Sequence, residues 1–172
     1  MFLQHLCHRF GLAAAHTCLL YTSAYIYMRQ RIYNFAKSDY ERLLKLAPRS
    51  YNGRLGLATL EQKEGKYEAA LSILNAMIAE KGGESTRLTT QQYAVLYVAR
   101  AGVEQDMKHV DLAMMDLEEA IKLDPSQTEA YLIRGQIYLS QKKKELAKRD
   151  FEKAISLGVP QGDLRELLLQ CK

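Results

Sequence analysis

Small and large apolar residues return along this chain at fixed intervals. Ala24, Ala58, Ala101 and Gly135 form one register of small residues, and Ala36, Ala70, Ala113 and Ala147 form a second. Tyr40, Leu74, Leu117 and Phe151 form a large apolar register, and Leu43, Met77, Ala120 and Ala154 a fourth. In all four the steps are 34, 43 and 34 residues. One unit therefore recurs four times, with nine extra residues (43 less 34) before its third copy.

Within a unit the spacing is helical. Tyr131, Gly135 and Tyr138 fall on one stripe, and Ala147, Phe151 and Ala154 fall on another. Small against large lets the stripes interlock as an antiparallel hairpin, with Gly135 admitting a close backbone approach between its two tyrosines. Pro48 and Pro125 stop the second helix of their units. The pattern predicts hairpins over 24–48, 51–80, 90–123 and 128–157, in units of about 17–50, 51–84, 94–127 and 128–161. Lys81, Gly82, Gly83, Glu84 and Ser85 place the insertion in a loop of about 81–89. Thr89 and Gln92 fit a capping box for the helix that follows. Residues 162–172 read as a C-terminal capping helix. There Leu164, Leu167, Leu168 and Cys171 share a face, Leu169 departs from it, and Asp163 with Glu166 fits a second capping box.

These residues resemble the tetratricopeptide repeat. The last unit carries most of that signature in Tyr131, Gly135, Tyr138, Ala147, Phe151 and Ala154. The third adds Tyr97, Ala101, Ala113, Leu117, Ala120 and Pro125. The second offers Leu57, Ala58, Gly65, Tyr67 and Ala70, and the first Ala24, Tyr27, Tyr33, Ala36, Tyr40 and Pro48. The resemblance spans roughly 24–161. It implies an all-α fold, a right-handed α-solenoid of antiparallel helical hairpins. Glu61 and Glu104 stand where the family has an aromatic residue, and Arg54 replaces an aromatic anchor, so the middle hairpins are expected to be the weaker ones.

Charge and composition narrow the function. With 24 basic and 20 acidic side chains the net charge is only +4, so no nucleic-acid partner is expected. Lys142, Lys143, Lys144, Lys148 and Arg149 read as a solvated turn and helix face. Three cysteines, Cys7, Cys18 and Cys171, make no disulfide framework and fix no compartment. No apolar run reaches the ~18 residues of a membrane span.

The N-terminal segment 1–23 is set aside from functional reasoning. Its hexapeptide Cys18–Ser23 matches the translation of a transposon end used in sequencing-library adapters. It also holds a group of soft ligand types, His5, Cys7, His8, His16 and Cys18, in no recognised metal spacing. No metal and no cofactor are expected.

Catalytic signatures are lacking. There is no GxSxG, HExxH, Walker-type loop or GxGxxG. His109, beside Asp106 and Asp111, reads as an exposed helix-start residue, and Asp116, Glu118 and Glu119 as a solvated face. The chain is not expected to be an enzyme.

Function then falls to the surface. The resemblance implies that the first helices of successive hairpins line a groove that binds a peptide or a helix. Its residues would be Asn52, Leu55, Thr59 and Gln62, then Val95, Val98, Gly102 and Gln105, then Glu129, Leu132, Gln136 and Leu139. Leu55, Val98 and Leu132 would make an apolar line across it. Family members that clamp a peptide's C-terminal carboxylate use Lys, Asn and Arg. The matching places here hold Leu55, Thr59, Ala99 and Gln136, with Glu129 nearby, and supply no fixed positive charge. The expected partner is an amphipathic helix or peptide on a non-catalytic scaffold. The alternatives are a repeat module of a larger enzyme or secretion component, and a weakly self-associating structural stack.

Overall fold

The computed structural model describes residues 2–80 and 88–171, with side chains from residue 15 onward. The described residues are all helical apart from turns. The chain divides into two compact units, Met1–Met77 and Ile78–Lys172.

The first unit holds α1 (Phe2–Arg29), α2 (Tyr33–Leu46), α3 (Tyr51–Lys63) and all but the end of α4 (Tyr67–Ala79). α1 pairs with α2, and α2 packs on α3. α1 begins well before Ala24 and runs unbroken through Cys18–Ser23, a stretch without proline or glycine to interrupt it. The core gathers Ala24, Ala36, Tyr40 and Leu60, with Tyr21, Tyr27, Met28 and Leu57 packed against them. Gly56 makes room for the Tyr40 ring, which a Cβ there would strike.

The second unit holds α5 (Thr90–Asp106), α6 (Val110–Leu123), α7 (Thr128–Ser140) and α8 (Lys144–Ser156), then a 3-10 turn (Gln161–Leu164) and α9 (Arg165–Gln170). α5 pairs with α6, and α7 with α8. The expected loop at 81–89 lies mostly outside the described residues. Its end is the capping box: Gln92 N–H donates to Thr89 Oγ1 at 3.1 Å, and Thr89 N–H to Gln92 Oε1 at 2.9 Å. One core cluster joins Ala94, Val98, Ala101, Ala113, Leu117, Ala120, Ala130 and Ile137. A second joins Tyr131, Ala147, Phe151, Ala154, Leu164 and Cys171. Gly135 faces the Phe151 ring and not a neighbouring backbone: a Cβ there would lie 2.7 Å from Phe151 Cε1.

The four hairpin turns share one geometry. Arg31, Gly65, Lys108 and Lys142 have φ of 61°, 75°, 66° and 62°. In each case the next residue donates its N–H back to the carbonyl five residues earlier: Ile32 to Tyr27 at 2.9 Å, Lys66 to Glu61 at 2.8 Å, His109 to Glu104 at 2.8 Å and Lys143 to Tyr138 at 2.9 Å. This left-handed stop closes the first helix and aims the chain into the second. The proline stops also hold. Ala47 and Asp124, each before a proline, are extended, with φ/ψ of −139°/80° and −141°/96°.

α9 takes a first-helix register. Leu164 and Cys171, each 34 residues beyond Ala130 and Ile137, are buried as those residues are. The expected capping box at Asp163 and Glu166 does not form. Asp163 is drawn into the 3-10 turn by its N–H bond to Pro160, and Leu164 caps α9 without a side-chain bond.

Candidate interaction surface

The predicted groove residues sit on α3, α5 and α7. On α3, Asn52 is exposed while Leu55, Thr59 and Gln62 are half-buried. Thr59 Oγ1 donates to the Leu55 carbonyl at 2.9 Å, so its hydroxyl serves its own helix. In the second unit Val95, Gly102 and Gln105 on α5 are half-buried. On α7, Glu129 and Gln136 are exposed, and Leu132 and Leu139 half-buried.

Val98 is different. It is only 7% exposed and shares a cluster with Ala130 and Ile137 of α7. Leu132 and Leu139 lean on the cluster around Phe151. Val98 therefore fills the seam between successive hairpins and does not form part of an open apolar line. On these two helices Glu129 and Gln136 are exposed, while Val95, Ala99, Gly102, Leu132 and Leu139 are half-buried.

Charge on these two helices is arranged in a way that single-residue reading misses. Arg134 Nε and Nη2 donate to the two carboxylate oxygens of Asp150, both at 2.8 Å. Arg100 grips Asp116 in the same way at 2.7 and 2.6 Å. Both aspartates are buried, so Asp116 is not part of a solvated face. The hydrogen bond to its aspartate raises the pKa of each arginine, against the opposing effect of burial. Each guanidinium also lies over a tyrosine, Arg100 at 5.4 Å from the Tyr97 ring centre and Arg134 at 5.6 Å from that of Tyr131. The clip ties the first helix of each hairpin to the second. The signal was present in the sequence, since Arg100 to Arg134 and Asp116 to Asp150 are both steps of 34.

Glu61 and Glu104, in the aromatic register, are also buried and paired. Lys37 Nζ donates to Glu61 Oε1 at 2.8 Å, a bond that raises the lysine's pKa. His109 Nδ1 lies 2.8 Å from Glu104 Oε2. His109 is thus half exposed but engaged, and not merely solvated. Where the last unit keeps its tyrosine, Lys143 Nζ stands 5.9 Å from the Tyr138 ring centre. Polar pairing replaces the aromatic contact in the two middle hairpins, so these glutamates are accommodated and not left as bare defects.

Among the described residues no three His, Cys, Asp or Glu side chains converge as metal ligands. The side chains of His5, Cys7 and His8 lie outside those residues. Burial pushes the Cys171 thiol up, and its Sγ donates to the Leu167 carbonyl at 3.2 Å. No helix among the described residues is long and apolar enough to cross a membrane.

Hairpins that repeat one turn geometry four times, at steps of 34, 43 and 34 residues, define a helical-repeat protein, a class whose working part is its surface. A tetratricopeptide repeat model matches residues 94–127 and 128–157, and a second tetratricopeptide repeat model matches 21–85. The chain belongs to the tetratricopeptide repeat family, whose repeats typically mediate protein–protein interactions. A tetratricopeptide repeat protein from Parabacteroides merdae superposes with a TM-score of 0.78 at 30% identity, over 96% of this chain and 60% of that one. Human DnaJ homolog subfamily C member 7 is 34% identical over 91 residues, 53% of this chain. The chain spans 17% of that relative's length. The second tetratricopeptide repeat domain of Spaghetti, solved with the HSP90 peptide SRMEEVD, superposes with a TM-score of 0.53 at 28% identity, over 63% of this chain and 93% of that one.

Proposed function

We propose that this chain is a non-catalytic protein-binding module, and that the α5–α7 face receives a neutral or basic amphipathic helix or peptide. One observation carries the choice of partner. The only cations on α5 and α7 are Arg100 and Arg134, and both are committed to buried aspartates. α5 and α7 also carry the exposed carboxylates Asp106 and Glu129. An acidic tail such as SRMEEVD, which the Spaghetti domain holds, would meet no fixed positive charge there. Ala99 and Gly102 allow a helix backbone to approach, and Gln105 and Gln136 offer neutral hydrogen-bonding groups.

The test is partner retention by the immobilised chain, compared with a Gly102→Glu/Gln136→Glu variant. Partner loss with an unchanged melting temperature supports the reading, and equal retention overturns it. Tight binding of the SRMEEVD peptide by the unaltered chain would overturn the charge argument separately.

A second reading is favoured by length. Because the chain covers so little of its DnaJ-type relative, the module would work as one part of a larger assembly or enzyme and supply that protein's docking surface.

A further inference from the structure

Charge is sorted by side on α8. Lys148 and Glu152 approach to 4.0 Å, and with Glu145 they turn to the flank that faces α9. Leu146, Arg149 and Lys153 follow at steps of three and four residues, which sets them on one stripe along the other flank. Lys142 stands in the turn at the head of that stripe. All four residues are exposed, Leu146 by 39%. The side chains of Lys142, Arg149 and Lys153 meet no carboxylate among the described residues.

The fold itself asks for no cation on this stripe. At the same steps α6 holds Leu112, Met115 and Glu119, the last paired with Lys122 at 3.3 Å, and α4 holds Ala69, Ser72 and Ala76. Arg149 and Lys153 lie one helical turn apart, so their repulsion works against α8 until an anion stands between them. The positive strip is also narrow. Glu145 and Glu152 bound it on the α9 side, and the second helix of the preceding hairpin, α6, carries the exposed carboxylates Asp111 and Glu118. A phospholipid surface or a nucleic-acid backbone would spread over these carboxylates as well. Leu146 alone is too little apolar surface to enter a bilayer. A single acidic helix covers the strip and nothing more.

We propose that this flank of α8 docks an acidic amphipathic helix from a partner protein, with carboxylates on Lys153, Arg149 and Lys142 and one apolar residue on Leu146. The surface is separate from the α5–α7 face, whose two arginines are both committed to aspartates. The layer of first helices therefore takes a neutral or basic segment, and the layer of second helices an acidic one. The peptide SRMEEVD crowds its acids into its last four residues and does not match the length of the strip.

A stapled helical peptide tests the assignment, with Glu at i, i+4 and i+11 and Leu at i+7, laid antiparallel to α8. Fluorescence anisotropy at about 50 mM salt, where exposed charges are weakly screened, should show binding to the unaltered chain. The Arg149→Glu/Lys153→Glu chain should bind at least about tenfold more weakly, and should prefer the same peptide with Lys in place of each Glu. Both residues are exposed, so circular dichroism should show unchanged helicity. The Gly102→Glu/Gln136→Glu chain should bind as the unaltered one does, which separates this surface from the α5–α7 face. Absent binding, equal binding by the Arg149→Glu/Lys153→Glu chain, or equal binding of a peptide with its Leu moved to i+5 would overturn the proposal. So would capture by phosphatidylserine vesicles that the same double change abolishes, since the strip would then be a lipid contact.

Discussion

Arg134 and Asp150 form a two-point clip in which each guanidinium N–H meets its own carboxylate oxygen at 2.8 Å. Arg100 and Asp116 reproduce it one repeat earlier. A buried pair of this kind is costly to break from one side, because the surviving charge stays in a place built for two.

Asp150→Ala is therefore expected to lower unfolding free energy by about 2–4 kcal/mol. The lower part of that range allows for the arginine's partial access to water. The double change Arg134→Leu/Asp150→Ile, which copies Leu57 and Ile73, should recover most of the loss. Urea unfolding of the three proteins decides it. A double variant as weak as the single one would mean that the clip is irreplaceable.

Gly135 and Phe151 should be strongly coupled. Gly135→Ala places a methyl group in the ring's space and is expected to cost about 1–3 kcal/mol, net of alanine's better helix propensity. Adding Phe151→Leu should restore much of the stability, because Ala101 and Leu117 already hold those two registers in the third hairpin. A double-mutant cycle measures this directly. Simple additivity would contradict the wedge described for this hairpin.

The left-handed turns predict gains. Lys142→Gly and Lys108→Gly relieve a side chain held at φ of 62° and 66°, and each should raise stability by about 0.5–1 kcal/mol. Gly65→Ala, at φ of 75°, should lower it by about 1 kcal/mol. Thermal unfolding of the set would show whether the sign follows the backbone angle.

Alkali should act through buried tyrosines, Tyr40 and Tyr51 foremost. Burial pushes the Tyr40 and Tyr51 hydroxyls up to about 12, against about 10 in an unfolded chain. The folded form holds these protons more tightly. Their contribution is whole below pH of about 10 and is lost as pH rises through about 12. Phenolate absorbance should show these two groups ionising late, and Tyr40→Phe should remove one of them. Uniform titration near the ordinary value would refute the assignment.

The hairpins were legible because their packing rests on alternation of size, which a sequence displays openly. Small residues at Ala101 and Gly135, and large ones at Leu117 and Phe151, say by themselves which faces meet. The clips were harder to see. Asp116 and Asp150 look like ordinary helix-surface carboxylates until the arginines sixteen residues earlier are set beside them. Burial at Val98 was hidden for a related reason. One helical register faces a groove at one height and a neighbouring hairpin at another, and sequence period does not separate the two. Leu164 and Cys171 could be placed on one face by spacing, but not in the register of Ala130 and Ile137 until their burial was known.

The common turn at Arg31, Gly65, Lys108 and Lys142 has a consequence for how such a chain can grow. A turn written in the backbone makes no demand on the identity of the neighbouring hairpin. The third and fourth units also bring their own clip. A gene segment encoding one such unit carries its bend and its brace with it, and asks of its new neighbour only a matching seam, such as Val98 finds in Ala130 and Ile137.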